Sequence, residues 1–536
     1  MIYGKVKSAL RFVISSLKKN EIKLTQRERA LNKLKIEINK DIDMAVGMSK
    51  GCGLLELLYF VYYLHWVRLL PLFPNAKNEK KELVNLYSNH LDDSFKYMIS
   101  LTAKYGHWGF VIPEGQKAPV LNIKLVQFLI KHSNYINSKY ETESLLQLFE
   151  VKVSGKRGQR VRIDFSKIDS DPEVRNFFNY FLRIDKDNNI KVNSKQNKDT
   201  LIEDFKNEYS SSADLFQQEM GITIEEFCSL IDELLQKVIN CMQAKADEVE
   251  KLPNGNIDIM NQITFLVLSK CFMYDKSKLY AEFNSRFHPA LNRLTFNVND
   301  FDSRQLRFHH IIRQPILSHK QFIIISPELI LDSLFTNIHY SLIESPNVKE
   351  EYITRQATLF LNKISSIADK FGFHEVERNK DLYDGKKSIG DIDLILRNDR
   401  GHYLLVEAKN HALPMDIYFK DVTKTKEHLL YLQNGWEKKV QRRIEHLNNY
   451  HNKYSIPDNY LYIVVSRFPE IISHYSKLLI LSIQEFEIWL EKYPTIISFD
   501  DFYKAYYGSQ MPEFNIKEIE EIQKDMGFIN ARFAEK

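Results

Sequence analysis

The segment IGDIDLILRNDRGHYLLVEAKN, residues 389–410, joins two strand-like runs through a polar turn. The runs Ile389–Arg397 and His402–Lys409 are rich in β-branched and other apolar residues, and the residues between them are Asn, Asp, Arg and Gly. Strand-forming runs on either side of such a turn predict an antiparallel β-hairpin. The apolar run LLV in the second strand favours a buried strand over one at the surface.

Alternation along the two predicted strands places acidic side chains on one face. Asp391 and Asp393 share a face of the first strand, and Glu407 and Lys409 share a face of the second. A loop centred on Arg400 puts Asp393 directly across from Glu407. Carboxylates this close repel one another unless a cation lies between them, and oxygen ligands favour Mg²⁺ or Mn²⁺. The pattern predicts a metal site, with a surface hairpin carrying solvated charges as the alternative.

Lys409 extends the predicted site from metal binding to chemistry. A divalent ion bound by Asp393 and Glu407 keeps water molecules that can attack phosphorus. Lys409 lies on the same face, where it could orient or deprotonate that water or hold a phosphate oxygen. The residues themselves therefore predict a metal ion and a phosphate group.

The hairpin resembles the core of the PD-(D/E)xK, or restriction-endonuclease-like, nuclease superfamily. Residues 407–409, Glu-Ala-Lys, match its (D/E)-x-K element, and the sequence GDIDL before them is similar to the GEIDL form of its preceding strand. The resemblance covers about residues 345–495. It implies a Mg²⁺-dependent endonuclease acting on DNA, in which Asp393 and Glu407 bind the metal and Lys409 is catalytic. Asp391 stays a second catalytic candidate, because no Pro precedes either Asp.

The resemblance also implies supporting residues on helices. Members of the superfamily often supply a Glu from a helix before the hairpin and a Gln from one after it. The predicted helix Lys349–Phe371 offers Glu351 and Gln356, for which a surface position is the alternative, and the later helical stretch offers Gln433 and Gln441.

Two basic clusters are candidates for contacts with a nucleic-acid backbone. Since the net charge is only +4, any such affinity must come from local patches. One cluster lies in a predicted hairpin at 150–165, and the other on a helix whose apolar stripe includes Val440 and Leu447. Solvated surface charge is the alternative for both. The candidates are Lys156, Arg157, Arg160 and Arg162 in the hairpin, and Lys438, Lys439, Arg442 and Arg443 on the helix.

Length and composition predict a multidomain protein. The chain has 536 residues, 44% of them hydrophobic, and can form several cores. The expected fold class is a mainly α-helical N-terminal region followed by a C-terminal α/β restriction-endonuclease-like domain, in which helices flank a mixed central sheet. The predicted boundaries are a helical region at 1–145, a mixed, mainly helical region at 146–344, the nuclease-like domain at 345–510 and a charged helical tail at 511–536.

One apolar stretch raises the question of a membrane. Residues 53–73 have about the length of a membrane span. Glu56, His65 and Arg68 fall within the stretch and would be costly in lipid. A buried helix is therefore predicted, with a membrane segment as the alternative, and no membrane partner is expected.

The cysteines and the N-terminus predict a cytoplasmic protein. The four cysteines lack the spacing of metal ligands, which argues against a zinc site or a disulfide framework and favours a reducing compartment. The N-terminal segment lacks the apolar core and cleavage site of a secretory signal.

The expected role combines the nuclease-like domain with a large helical partner region. The resemblance implies a function in bacterial antiviral defence or restriction, with a partner protein or a homo-oligomer as further possibilities. Two alternatives stay open: an RNA nuclease, and a non-catalytic nucleic-acid-binding or scaffold protein that uses a nuclease-like fold.

Overall fold

The computed structural model describes residues 26–69, 78–110, 120–148, 150–154, 160–164, 171–194, 198–251, 257–303, 310–411, 413–418 and 420–508. Helices dominate the chain up to residue 370, and a five-stranded sheet organises the residues after it. The predicted tail 511–536 lies outside the described residues, as do Lys156 and Arg157 in the predicted basic hairpin.

Most of the N-terminal helices share one large apolar core, which takes buried side chains from Ile38 through to Tyr352. The mainly helical N-terminal region expected from the sequence is therefore confirmed. The helices are α1 (Gln26–Ser49), α2 (Leu54–Leu69), α3 (Asn78–Tyr105), α4 (Ile123–Leu148), α5 (Pro172–Ser194), α6 (Lys198–Tyr209), α7 (Ala213–Met220), α8 (Ile224–Glu250), α9 (Ile257–Leu268), α10 (Lys276–Glu282), α11 (His288–Arg293) and α12 (Pro327–Ile343), with 3₁₀ turns at Ser210–Ser212, Ser269–Phe272, Ser285–Phe287 and His310–Ile312.

Helix α2 carries the apolar stretch that raised the question of a membrane. Most of its side chains are buried against other helices, and its charged residues have partners. Glu56 accepts backbone hydrogen bonds from Gly53 and Asn122, both at 2.8 Å. Arg68 forms ion pairs with Asp92 and Asp332. The predicted buried helix is therefore confirmed, with the charges inside it compensated by protein groups.

A helix that crosses a bilayer needs about 20 consecutive, mainly apolar residues. None of the described helices alone is long and apolar enough to cross a bilayer. One pair, Glu28–Ser49 with Leu54–Arg68, passes by combined length and composition, but the two helices are bent by 120°.

Two small antiparallel sheets accompany the helices. The two strands of the hairpin predicted at 150–165 pair as expected, with Glu150 opposite Asp164 and Ser154 opposite Arg160. The second sheet has the strand order β3-β5-β4. The strands are β1 (Glu150–Ser154), β2 (Arg160–Asp164), β3 (Met273–Asp275), β4 (Leu317–His319) and β5 (Phe322–Ile324).

The C-terminal region has a mixed sheet built from β6 (Phe373–Asp384), β7 (Lys387–Asn398), β8 (Tyr403–Lys409), β9 (Tyr460–Ser466) and β10 (Leu479–Ser482). Their order across the sheet is β10-β9-β8-β7-β6. Strands β6, β7 and β8 are antiparallel neighbours, whereas β8, β9 and β10 run parallel, as the sequence predicted for a mixed central sheet. The helices and helical turns of this region are α13 (Lys349–Lys370), α14 (Met415–Tyr418), α15 (Val422–Leu432), a π-helical turn (Gln433–Glu437), α16 (Lys438–Tyr450), a 3₁₀ turn (His451–Tyr454), a 3₁₀ turn (Ile471–His474), α17 (Ile483–Leu490) and α18 (Phe499–Tyr506).

Helices cover both faces of this sheet. One face, which includes Leu404 of β8, packs on α13, α17 and α18. The opposite face, which includes Leu405, packs on α15 and α16. Alternate residues of β8 therefore enter different cores, which explains why its apolar run is continuous.

Helix α5 also packs on the second face, although it precedes the sheet by some 180 residues in sequence. Its buried residues Phe177, Tyr180 and Ile184 belong to the same apolar cluster as Leu405. A helix from the predicted middle region thus contributes to the core of the C-terminal sheet.

Candidate active site

The turn between β7 and β8 is held by Asn398. Its side-chain oxygen accepts hydrogen bonds from the backbone N–H groups of Arg400 at 3.1 Å and His402 at 2.9 Å. Gly401 takes the left-handed conformation that the turn needs, with φ of +79°. These local bonds centre the loop on Arg400, as predicted.

Strands β7 and β8 separate at the candidate site. Their register is the one expected from the loop, and its last pair is Leu394 opposite Val406. Beyond this pair, β8 continues against β9 as far as Lys409. The Asp393 carboxylate lies at the opening, where its Oδ2 accepts a hydrogen bond of 2.6 Å from the backbone N–H of Ala408. The separation of the strands thus leaves room for the acidic side chains.

Glu407 is the most enclosed acid of the site, at 3% exposure. Its Oε1 accepts a hydrogen bond of 2.6 Å from Lys409 Nζ. Its Oε2 accepts hydrogen bonds from Arg443 Nη1 and, at 3.2 Å, from the hydroxyl of Tyr462. Burial and the charge of Glu407 raise the pKa of Tyr462 well above its usual range, so this phenol stays neutral and donates. The charge of Glu407 is therefore balanced by two cations.

Asp393 has a different environment. Within the described structure no Lys or Arg forms an ion pair with it, and its Oδ1 accepts no hydrogen bond. Burial, followed by the negative charge of Glu407, raises the pKa of Asp393 to about 6. A divalent cation next to both carboxylates would favour the ionised form of Asp393. The donor set of Asp393 and Glu407 therefore fits a hard metal ion such as Mg²⁺ or Mn²⁺.

The raised pKa of Asp393 predicts a pH-dependent stability. Between about pH 4 and about pH 6 the folded protein retains a proton that the unfolded chain has released, so stability falls as the pH rises through this range. We expect Asp393→Asn, in metal-free buffer at pH 7.5, to be more stable than wild type by about 1–3 kcal/mol, because one pKa unit is worth about 1.4 kcal/mol.

Urea unfolding with a chelator present measures this difference at pH 7.5 and at pH 4. The difference should shrink at pH 4, where Asp393 is largely protonated. An equal difference at both pH values would contradict the charge-based explanation.

Asp391, the second catalytic candidate, lies at the rim of the site. Its side chain is 42% exposed, and its Oδ1 is 3.7 Å from Arg443 Nη2. It lies opposite Asp381 of β6. This position suits an assisting role better than direct ligation of a buried metal ion.

Arg443 can reach the site because Gly390 has no side chain in its way. A Cβ at Gly390 would lie 2.5 Å from Arg443 Nε, and Gly390 has φ of +120°, which other residues rarely adopt. The guanidinium therefore packs on the bare backbone of β7. Arg443, which the sequence placed among the exposed basic residues of the helix, is instead only 8% exposed and joins the buried stripe of Val440 and Leu447. Spacing of three and four residues from these neighbours was the available signal.

Gly390→Ala should push Arg443 away from Glu407. We expect a loss of stability about 1–3 kcal/mol greater than for Gly385→Ala, a control that also has a positive φ but has no atom within 4 Å of the added Cβ. Urea unfolding of the two variants measures the difference. Equal losses would mean that the close approach of Arg443 to Gly390 contributes nothing.

The four supporting candidates occupy different positions. Gln356 of α13 lies near the end of β8, since its backbone carbonyl accepts a hydrogen bond of 2.7 Å from Asn410. Its side-chain Nε2 is buried and has no partner among the residues described. Glu351 is exposed and pairs with Arg355 instead. Gln441 is exposed on α16, and Gln433 lies half-buried in the π-helical turn.

The remaining basic candidates are at the surface or are described only in part. Lys438, Lys439 and Arg442 are exposed on α16. Arg442 also donates a hydrogen bond of 2.7 Å to the backbone carbonyl of Ile389, which ties the exposed side of α16 to β7. Arg160 and Arg162 lie in β2, where the backbone alone is described.

Tyr462 and Arg443 are parts of the site that sequence patterns did not assign to it. Tyr462 of β9 follows Glu407 by 55 residues, and Arg443 of α16 follows it by 36 residues. Comparison with known proteins adds no relative: no protein-family model, curated protein or solved structure matches this chain. What can be inferred about function therefore comes from the residues of the chain itself.

Proposed function

We propose that the C-terminal sheet domain is a divalent-metal-dependent nuclease that hydrolyses phosphodiester bonds, in the first place in DNA. The observation that carries the proposal is the meeting of Asp393, Glu407 and Lys409 where β7 and β8 separate. Two acids and a lysine in a partly enclosed opening can bind a metal ion and a phosphate together.

Each residue has a distinct task in this proposal. Asp393 and Glu407 would hold Mg²⁺ or Mn²⁺, which supplies an activated water and neutralises charge on the phosphate. Tyr462 and Arg443 hold Oε2 of Glu407 and so fix the orientation of its carboxylate. Lys409 is 23% exposed and could turn from Glu407 Oε1 to a phosphate oxygen or to the water.

The same evidence supports membership of the PD-(D/E)xK superfamily as part of the proposal. Helix α13, strand β6, the hairpin β7–β8, helices α15 and α16, and strands β9 and β10 build a mixed sheet flanked by helices, the architecture that the resemblance implies. The GDIDL sequence gains a physical reason, since Gly390 provides the space for Arg443.

The exposed basic side of α16 is the proposed path for the nucleic acid. Lys438, Lys439 and Arg442 lie on the helix that also supplies Arg443 to Glu407. Phosphate contacts from such residues are independent of base sequence. DNA is the first substrate to test, and RNA is the alternative.

The helical region would sense a trigger or a partner in bacterial antiviral defence or restriction. Its large apolar core is separate from the two apolar clusters that cover the faces of the sheet. A cytoplasmic location completes the proposal, because the four cysteines are free.

A second candidate function follows from Arg443. Its guanidinium already neutralises Glu407 and lies 3.7 Å from Asp391, so a fixed cation occupies part of the acidic cluster. A side-chain cation in this position favours a non-catalytic nucleic-acid-binding or scaffold protein, in which the acids serve structure alone.

The test is incubation of the purified protein with linear, circular and single-stranded DNA and with RNA, in Mg²⁺, Mn²⁺ or chelator. We expect cleavage of at least one polymer that requires the metal. Binding of nucleic acid without cleavage, and without any rise of melting temperature on addition of Mg²⁺ or Mn²⁺, would reject the nuclease in favour of the second candidate.

A further inference from the structure

A second group of metal-binding side chains lies beyond the candidate active site. His411 follows Lys409 by two residues, and Glu470 follows the end of the adjacent parallel strand β9. Because parallel strands end at the same edge of a sheet, these two residues meet there. His428 of α15 completes the group, and one ligand atom from each side chain lies within 4.8 Å of the others.

The contacts within this group converge on a buried carboxylate. His411 Nε2 contacts Glu470 Oε1, and His428 Nε2 lies 3.0 Å from Glu470 Oε2. The side chain of Glu470 is only 2% exposed. In the described part of the chain no Lys or Arg pairs with this carboxylate, and Arg183 reaches only the backbone carbonyl of Glu470. Among the residues that the structure describes, the two imidazoles are therefore the ion-pair partners of this buried carboxylate.

We propose that His411, His428 and Glu470 bind a transition-metal ion, with Zn²⁺ as the best match. Two imidazole nitrogens and one carboxylate oxygen form a ligand set typical of Zn²⁺, whereas Mg²⁺ prefers oxygen alone. The set thus differs from that of Asp393 and Glu407, and the two sites are expected to select different ions.

The position of the group indicates what the ion does. It joins the segment after β8, the helix α15 and the segment after β9. The first of these segments begins immediately after Lys409, whose backbone carbonyl accepts a hydrogen bond of 3.0 Å from Arg467. A bound ion would therefore fix the segment that directly follows the candidate catalytic residue Lys409.

The histidine ligands of this group differ in exposure. His411 is 36% exposed, whereas His428 is 12% exposed, so the outer side of the group faces solvent at His411. A tetrahedral ion with three protein ligands takes a water or another small ligand in its fourth position. The site is therefore open to exchange with ions in solution.

The experiment measures Zn²⁺ bound by the full chain after treatment with a chelator and equilibrium dialysis against Zn²⁺. Wild type should take up about one equivalent at this site. His411→Ala and Glu470→Gln should each weaken binding by more than about 100-fold, because even residues that only support metal ligands are worth 10–100-fold. Of these two variants, His411→Ala should disturb folding less, because the side chain of His411 is partly at the surface.

Two controls separate this site from others. His374→Ala removes a histidine that pairs with Asp369 at the surface of the same region, and it should leave Zn²⁺ binding unchanged. Glu407→Gln should also retain Zn²⁺, which keeps this test independent of the proposed nuclease. Equal Zn²⁺ uptake by wild type and His411→Ala, or displacement of the Zn²⁺ by equimolar Mg²⁺, would overturn the inference.

Discussion

Glu407→Gln and Lys409→Met should each lower metal-dependent cleavage by at least about 100-fold, the range expected for loss of a catalytic charge or proton-transfer group. Glu407→Gln keeps the shape of the side chain and an oxygen for the hydroxyl of Tyr462, but it removes the charge that would hold the metal. Lys409→Met keeps the aliphatic chain and removes the cation next to Glu407 Oε1. Both effects come from charge, since the packing of the site is largely retained.

The matched control for these variants is an ion pair on β6, the edge strand that β7 separates from β8. Glu377 and Lys380 of β6 are 2.8 Å apart and partly exposed. Glu377→Gln and Lys380→Met make the same chemical changes and should leave the cleavage rate within about twofold of wild type, since surface pairs contribute little. The single-turnover cleavage rate is measured for wild type and for all four variants, and circular dichroism checks that each variant is folded.

Different results would lead to different conclusions. Loss of cleavage in Glu407→Gln together with the Glu377→Gln control would point to a general electrostatic effect and contradict the assigned site. Retention of cleavage in both Glu407→Gln and Lys409→Met would move catalysis elsewhere in the chain. Cleavage by none of the proteins, including wild type, would favour a non-catalytic role for Arg443 and its acidic partners.

The hairpin was predictable because its determinants are local. Alternation of side chains and the loop at 398–402, which is centred on Arg400, fix the register that aligns Asp393 with Glu407. The continuous apolar run before Glu407 indicated a strand buried on both faces, which the helices on either side confirm. Short-range patterns of this kind carry enough information to order neighbouring strands.

The partners of Glu407 were not predictable in the same way. Arg443 looked like one more basic residue of an amphipathic helix, and no pattern in the sequence distinguishes Tyr462 from the other tyrosines. Their contacts with Glu407 depend on how α16 and β9 pack on β8, which pairwise spacing in the sequence does not specify. The His411, His428 and Glu470 group was missed for a related reason, because its members are far apart in the sequence and form no spacing motif.

Arg183→Met should produce the largest loss of stability, about 3–5 kcal/mol, as expected when one partner of a buried ion pair is removed. Arg183 of α5 is fully buried and forms two hydrogen bonds of 2.8 Å to the Glu485 carboxylate of α17. Its guanidinium also lies over the ring of Phe499, 4.7 Å from the centroid. This contact between distant parts of the chain explains how a helix from the middle of the sequence is held on the C-terminal sheet.

The loss arises because Arg183→Met leaves Glu485 buried with no cation. Burial alone would raise the pKa of Glu485, but the charge and hydrogen bonds of Arg183 outweigh burial and lower it. A lowered carboxylate pKa gives stability that is present above the unfolded value and is lost as the pH falls through the folded value. The difference between wild type and Arg183→Met should therefore be largest near neutral pH and decrease in acid.

Urea unfolding at pH 7 and at lower pH measures this effect, with Lys370→Met as the control. Lys370 pairs at 3.1 Å with Glu487 of the same helix α17, but both side chains are exposed, so its loss should be below about 1 kcal/mol. The double variant Arg183→Met/Glu485→Gln should recover part of the stability, because it leaves no uncompensated charge. If Arg183→Met were no less stable than Lys370→Met, the buried pair would not be what fixes α5 to the sheet, and apolar contacts of Phe177, Tyr180 and Ile184 would have to suffice.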